Sequence, residues 1–353
     1  MSLRSVAPPA PRFAVLLNAN AKRVDADVRR ALEDVVGPSD LFLSRDAREA
    51  AAVAELVVAR RYRTVFTGGG DGTFVGWVNQ IVDHAERRGS PVPRFGVLAL
   101  GTGNAVAELV GARPDQHVEH LAAFAGGAAA GVRRLDLLTC DGRRTPFAGV
   151  GLDAAVLNDY AGLKSRFAGT PLRGATSGLP GYLLAGAVRS APRYLVERRP
   201  SYCEIVNLGR AAYRLDGRGR QVGPAIGHGE LIYAGPCMMA AASTVPFYGF
   251  GLRAFPFAGA RPGTMQLRVA AKLSVSTVLW NLPRIWSGDF AHPGLLDFHA
   301  ERVAVQFERP MPLQIGGDAE GWRDAVTFGI APRPVEVVDF TPAPEPRRPR
   351  LVN

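Results

Sequence analysis

Phe66-Thr-Gly-Gly-Gly-Asp-Gly-Thr73 decides the fold. A β-branched and aromatic run, Thr64-Val65-Phe66, leads into it, and a periodic apolar stretch over residues 74–87 follows. A strand that turns through glycines into a helix suits phosphate binding. The glycines let backbone N–H groups approach anionic oxygens, and the helix N-terminus adds partial positive charge. No Gly-Lys-Ser/Thr follows, so this is not a P-loop, and the spacing of the dinucleotide fingerprint is absent. Gly68, Gly69, Gly70, Gly72 and Thr73 are therefore expected to hold phosphates. Asp71 is the expected partner, through water, of a Mg²⁺ ion carried by the nucleotide.

Working outward, a second junction reads Leu98-Ala-Leu-Gly-Thr-Gly-Asn-Ala105. It also ends a strand and opens a helix, the place where ligands bind in open parallel sheets. Thr102 and Asn104 offer side-chain hydrogen bonds beside a backbone that Gly101 and Gly103 leave open. A third candidate, Asn18-Ala-Asn-Ala-Lys22, ends the first strand, with an ordinary turn as its alternative. Strands over 13–17, 64–66 and 95–100 alternate with helices over 46–60, 74–87 and 103–110, which predicts a parallel sheet with helices on its faces. From residue 134 the pattern changes. Short apolar runs at 135–140, 144–148, 202–208, 229–234, 264–269 and 304–307 read as an antiparallel β domain, interrupted by helices at 180–194 and 274–286. The fold class is thus α/β followed by β. Residues 12–135 form the first domain and 136–322 the second, between disordered ends at 1–11 and 341–353.

The chain has 353 residues, 47% hydrophobic and 21% charged, enough to bury a core. Cys140, Cys203 and Cys237 are too few and too scattered for a disulfide framework or a four-cysteine zinc site. The six histidines form no ligand set. No run of 18 apolar residues exists, so a cytoplasmic protein that does not span a membrane is expected. The net charge of +10 is nearly all arginine, lysine occurring only at Lys22, Lys164 and Lys272. Coding bias explains that skew, as does a surface drawn to anionic lipid or nucleic acid.

Taken in order, these segments resemble the diacylglycerol kinase catalytic-domain family, the bacterial lipid kinases of diacylglycerol and sphingosine type. The Gly-Gly-Asp-Gly-Thr signature is shared with NAD kinases and phosphofructokinases, so the other segments decide. Asn18 to Lys22 is similar to the lipid kinases' first-strand loop, and Leu100-Gly-Thr-Gly-Asn104 to their second nucleotide loop. Phe147-Ala-Gly-Val-Gly-Leu-Asp-Ala154 is similar to the glycine-rich strand that opens their second domain. Residues 246–258 resemble their long loop before a strand, and Gln314-Ile-Gly-Gly-Asp-Ala-Glu320 falls where the family carries Asp-Gly-Glu.

That resemblance implies a C-terminal β-sandwich, an active site in the cleft between the domains, and a last strand returning to the first domain. The return is expected within about 323–340, starting with residues 325–330. It implies ATP and Mg²⁺ as cofactors and transfer of the γ-phosphate to the hydroxyl of diacylglycerol or a related lipid at a membrane surface, hence a cytoplasmic protein peripheral at the membrane. Asp318 and Glu320 match the acidic motif that takes the hydroxyl proton; either fits as base, Asp318 being the first choice. A homodimer is left open.

The chain departs from the family at several positions. Val75 and Gly76 replace the usual Asn-Glu, Ala99 a proline, Ala105 an aspartate and Ala319 a glycine. Pro262 stands where some bacterial members use an aspartate for a structural Mg²⁺, so that accessory site is expected to be missing. The rival readings are an NAD-kinase-like enzyme and a non-catalytic nucleotide or lipid sensor on the same fold. Nucleic acid is not an expected partner, because no basic motif with interleaved aromatics is present.

Overall fold

The computed structural model describes residues 13–128, 130–155, 201–248 and 251–342. The expected disordered ends (1–11 and beyond 342), the helix at 180–194 and Phe250 lie outside the described residues. Four parallel strands, β1 (Phe13–Asn18), β2 (Leu41–Ser44), β3 (Thr64–Gly69) and β4 (Arg94–Ala99), lie in the order β2-β1-β3-β4. Their apolar runs suit strands covered on both faces by helices. Helices α1 (Ala26–Val36) and α5 (His117–Ala125) share one core with Val15, Leu17 and Phe66. Helices α2 (Ala47–Ala59), α3 (Asp71–Arg87) and α4 (Ala105–Leu109) pack with Ala14, Leu16 and Val65 on the other face. Asp46 starts α2 by accepting the N–H groups of Arg48 and Glu49 at 2.8 Å each. Sequence reasoning missed α1 and β2, because a strand of four residues shows no period and Gly37-Pro38 beside it reads as loop.

After β5 (Gly131–Leu135) the chain leaves this sheet for an antiparallel sandwich. Its strands are β6 (Leu138–Cys140), β7 (Arg143–Thr145), β8 (Phe147–Gly151), β9 (Ser201–Asn207), β10 (Ala212–Leu215), β11 (Gln221–Ile226), β12 (Leu231–Cys237), β13 (Met239–Ser243), β14 (Met265–Ala270), β15 (Leu295–Ala300), β16 (Arg302–Ile315) and β17 (Asp318–Ile330). The expected helix at 274–286 is two, α6 (Val275–Trp280) and α7 (Leu282–Ser287), divided at Asn281 because Pro283 suits a first turn and not a helix interior.

Strand β16 sets the geometry of the site. Its first half pairs with β9 through Val303–Phe307, and its last three residues pair with β8. Between them the register slips from Gln306 to Met311, where Pro310 cannot donate to a ladder. The strand thereby delivers Ile315 to the rim of the first domain.

Residues 325–330 do not return to the first sheet: they lie in β17, paired with β16. Pro332 and Pro334 end that strand, and the return is made by β18 (Val335–Asp339), parallel to β4 and antiparallel to β5. The first sheet is consequently mixed at its edge. The two halves also meet along α3. Asn79 accepts the Arg144 N–H and donates to the Arg144 carbonyl, while Arg144 pairs with Asp83 at 2.6 Å and Glu86 at 3.0 Å. One apolar cluster crosses the junction, joining Phe74 and Trp77 to Phe147 and Val245.

Candidate functional site

The three glycine- and asparagine-bearing segments end β1, β3 and β4, adjacent parallel strands, so they converge at one edge of the sheet. The convergence is tight. Asn18 donates to the Thr73 hydroxyl at 3.0 Å. The Gly101 N–H donates to the Gly69 carbonyl at 2.9 Å, and the Asp71 N–H to the Gly103 carbonyl at 3.0 Å. Asn104 donates to the Gly101 carbonyl at 3.0 Å, and its own carbonyl oxygen is buried without a partner among the described residues. Thr102 is exposed and makes no hydrogen bond among those residues, which leaves its hydroxyl to a ligand.

The glycines have a structural reason of their own. A Cβ on Gly101 would be driven into Gly70 Cα and N, and one on Gly70 would lie 2.8 Å from the Gly103 carbonyl oxygen. The two loops touch backbone to backbone, and only glycine permits that approach.

Asp71 is 7% exposed, and its two carboxylate oxygens accept the N–H groups of Ala105 at 2.9 Å and Val106 at 3.3 Å. It therefore caps α4 and ties the first loop to the second. Ala105, the departure from the family's aspartate, contributes the N–H that Asp71 accepts. Burial pushes the Asp71 carboxyl up to about 6, against the opposing pull of those two N–H groups. The fold binds this proton more tightly than the unfolded chain, whose value is 3.8. Stability from Asp71 is thus complete below 3.8 and lost as pH rises through about 6. Denaturant melts should show the wild type losing ground to Asp71→Asn over that window, by on the order of 3 kcal/mol, with no further change above it.

Asp318 opens β17 on the opposite wall. A Cβ on Gly72, in the first turn of α3, would lie 3.0 Å from its Oδ2, so the carboxylate faces that turn. Ile315 pairs with Asp318 across Gly316 and Gly317, whose φ values of 60° and 90° meet the need of a two-residue hairpin for left-handed residues. Ala319 has no positive φ, so replacing the family's glycine there costs nothing. Val75 lies against Gly316, while a Cβ at Gly76 would meet nothing within 4 Å. Burial raises the Asp318 carboxyl above the usual range; Arg143 pulls it down and Glu320 pushes it up. Glu320 is occupied differently, in an ion pair with Arg143.

Sequence reasoning missed Arg143 and the groups beneath the hairpin. Arg143 follows Asp141-Gly142, a dipeptide that signals a hairpin, and Arg323 pairs with Asp141 at 2.9 Å. Gln314 accepts the Gly317 N–H at 3.0 Å and donates to the Tyr248 hydroxyl, which in turn donates to Asp153. Asp153 is nine-tenths buried, and burial raises its carboxyl despite these bonds. It lay in view within the glycine-rich segment 147–154, but nothing in that segment reveals partners 95 and 161 residues away. Glu108, on α4, accepts the Gly251 N–H at 2.8 Å and so holds the long loop of the second domain.

Two family models match the chain: the diacylglycerol kinase catalytic domain over residues 12–139, and the YegS C-terminal NAD kinase beta sandwich-like domain over residues 204–339. Among solved structures, a protein from Bacillus anthracis str. Sterne provisionally named a diacylglycerol kinase is 14% identical with a TM-score of 0.62, covering 94% of this chain and 98% of its own. A further diacylglycerol kinase from that organism is 13% identical with a TM-score of 0.57, over 92% and 96% of the two chains. An NAD kinase from Archaeoglobus fulgidus in complex with ATP is 11% identical with a TM-score of 0.43, over 93% of each. At such identities the likenesses to the two Bacillus anthracis proteins show the shared fold alone. None of the curated proteins compared matches the chain.

Proposed function

The chain belongs to the diacylglycerol kinase catalytic-domain family, and on that premise we propose that it is an ATP-dependent lipid kinase. The reaction is transfer of the γ-phosphate to the hydroxyl of diacylglycerol or a lipid like it. One juxtaposition carries the reading: Asp318, a solvent-accessible carboxylate whose pKa is raised by partial desolvation, faces the glycine turn at Gly72 across the cleft. A base opposite a phosphate-binding turn is what transfer to an alcohol requires, since the hydroxyl proton must leave as the oxygen attacks.

The residues fit the nucleotide and its metal. The orphaned Asn104 carbonyl oxygen and the free Thr102 hydroxyl offer polar contacts beside Gly70–Thr73 and Asn18. Mg²⁺ carried on phosphates needs only one or two protein carboxylates, and when bound it offsets the charge that the phosphates develop. Asp71 would hold it through water, because both its oxygens already accept N–H groups. Among the described residues no cluster of three or more acidic, histidine or cysteine side chains is placed to cage a metal. Asp318 accepts the proton at a carboxylate oxygen. Glu320 is the poorer candidate because Arg143 holds it. Gln314, by fixing the Gly317 N–H, keeps the hairpin that aims Asp318.

Among the described residues no helix is long and apolar enough to cross a membrane. In this reading the enzyme meets its lipid from the aqueous side. Parallel assays with labelled ATP, offering diacylglycerol in mixed micelles or NAD in solution, test it. Labelled lipid is the expected product, and NADP without labelled lipid would overturn the reading.

A further inference from the structure

Trp280 is 87% exposed, the most exposed large hydrophobic side chain among the described residues. It closes α6, at the turn into α7, on a helical hairpin inserted between β14 and β15. The hairpin is held firmly. Asn281 donates to the Thr277 carbonyl at 2.8 Å, and the Arg253 N–H donates to the Trp286 carbonyl at 3.0 Å. Two residues before Arg253, Gly251 is gripped by Glu108 of α4, the helix that Asp71 caps. A relay of hydrogen bonds, through the Glu108 and Asp71 carboxylates, therefore connects the hairpin to the glycine loops of the first domain.

The exposed charge on and beside the hairpin is three cations to one carboxylate. Arg253, Lys272 and Arg284 are exposed, and none forms an ion pair among the described residues. The carboxylate in the hairpin, Asp289, accepts from the Ser287 hydroxyl at 2.7 Å. A single exposed tryptophan needs no explanation. On a hairpin that also carries Arg284, follows Lys272 and is bonded to Arg253, it matches the level of lipid headgroups, where indole rings settle and basic side chains meet anionic lipid. A second copy fits poorly, because a two-fold contact would bring this patch against itself, cation facing cation.

We propose that the α6–α7 hairpin, with Trp280 at its turn and Arg253, Lys272 and Arg284 on and beside it, docks on an anionic phospholipid surface. This deepens the lipid-kinase reading and rests on it for its purpose: docking would present the cleft to a lipid that stays in its bilayer.

The test needs no turnover. Full-length protein is sedimented with phosphatidylcholine vesicles, with or without phosphatidylglycerol, and its tryptophan fluorescence is read against acyl-brominated lipid. The wild type should bind the anionic vesicles and be quenched. Trp280→Ala, at an exposed position, should melt with the wild type yet bind about tenfold more weakly and lose most quenching. Arg284→Glu should weaken binding about as much. Equal binding by wild type and Trp280→Ala, or no preference for anionic vesicles, would overturn the proposal. So would a dimer that Trp280→Ala dissociates while vesicle binding stays intact. If the hairpin docks but no lipid is phosphorylated, docking stands and the kinase reading falls.

Discussion

Asp318→Asn should lower kcat for lipid phosphorylation by roughly 10²–10⁴-fold while leaving nucleotide affinity near wild type. The substitution keeps the shape of the side chain and removes its capacity to take a proton. Because the wild-type carboxyl is raised by burial, the acid limb of kcat/KM should lie above the ordinary carboxylate range. The neighbours give opposite signs. Glu320→Gln removes a negative charge and releases Arg143 from its partner, so the limb should move to lower pH. Arg143→Met removes the group that favours the ionised form, so the limb should move to higher pH. A pH–rate series on the three variants checks this. If both neighbour variants shift the limb the same way, it belongs to another group.

Gly101→Ala should cost the most stability of any change at the site. The added methyl would enter the backbone of Gly70 and lie 2.8 Å from Gly69 C, atoms that cannot rotate aside. Overpacking of this kind costs about 1–3 kcal/mol, and more where backbone must move. The movement would break the Gly101–Gly69 and Asp71–Gly103 hydrogen bonds together, and with them the capping of α4 by Asp71. Nucleotide binding should then disappear with the melting temperature lowered. Gly76→Ala is the control. It is helical, its Cβ would meet nothing within 4 Å, and it should stabilise by about 0.4–1 kcal/mol. Thermal melts of both variants with and without ATP separate the outcomes, and a Gly101→Ala protein that melts and binds like wild type would show the two loops are not locked.

How much of this was legible in the sequence depended on distance along the chain. The strand–glycine–helix junction at residues 66–73 is local, and it exposed both the parallel sheet and one wall of the site. The Gly316-Gly317 pair could be read as a turn, and the acidic motif after it came from the family's order of segments. What stayed hidden was long-range. That Asp71 caps α4, 34 residues away, cannot be seen in a glycine loop that reads equally well as a metal partner. That Glu320 is held by Arg143, 177 residues away, is what distinguishes the two carboxylates, and no spacing rule predicts it. The strand returning to the first sheet falls within the expected 323–340 but starts later than expected, for a similar reason. Residues 325–330 and 335–339 both have apolar character, and only the pairing partner tells them apart.

In the proposed reaction Asp318 takes a lipid hydroxyl's proton while the γ-phosphate of ATP moves to that oxygen. The most direct measurement follows labelled γ-phosphate into the organic phase from a panel of diacylglycerol, sphingosine, ceramide and polyprenol in mixed micelles with Mg²⁺. Wild type and Asp318→Asn are run side by side. Label is expected in at least one lipid with the wild type and almost none with Asp318→Asn. Undiminished transfer by Asp318→Asn would contradict its role as base, and a wild type that binds ATP but labels no lipid would contradict the function itself.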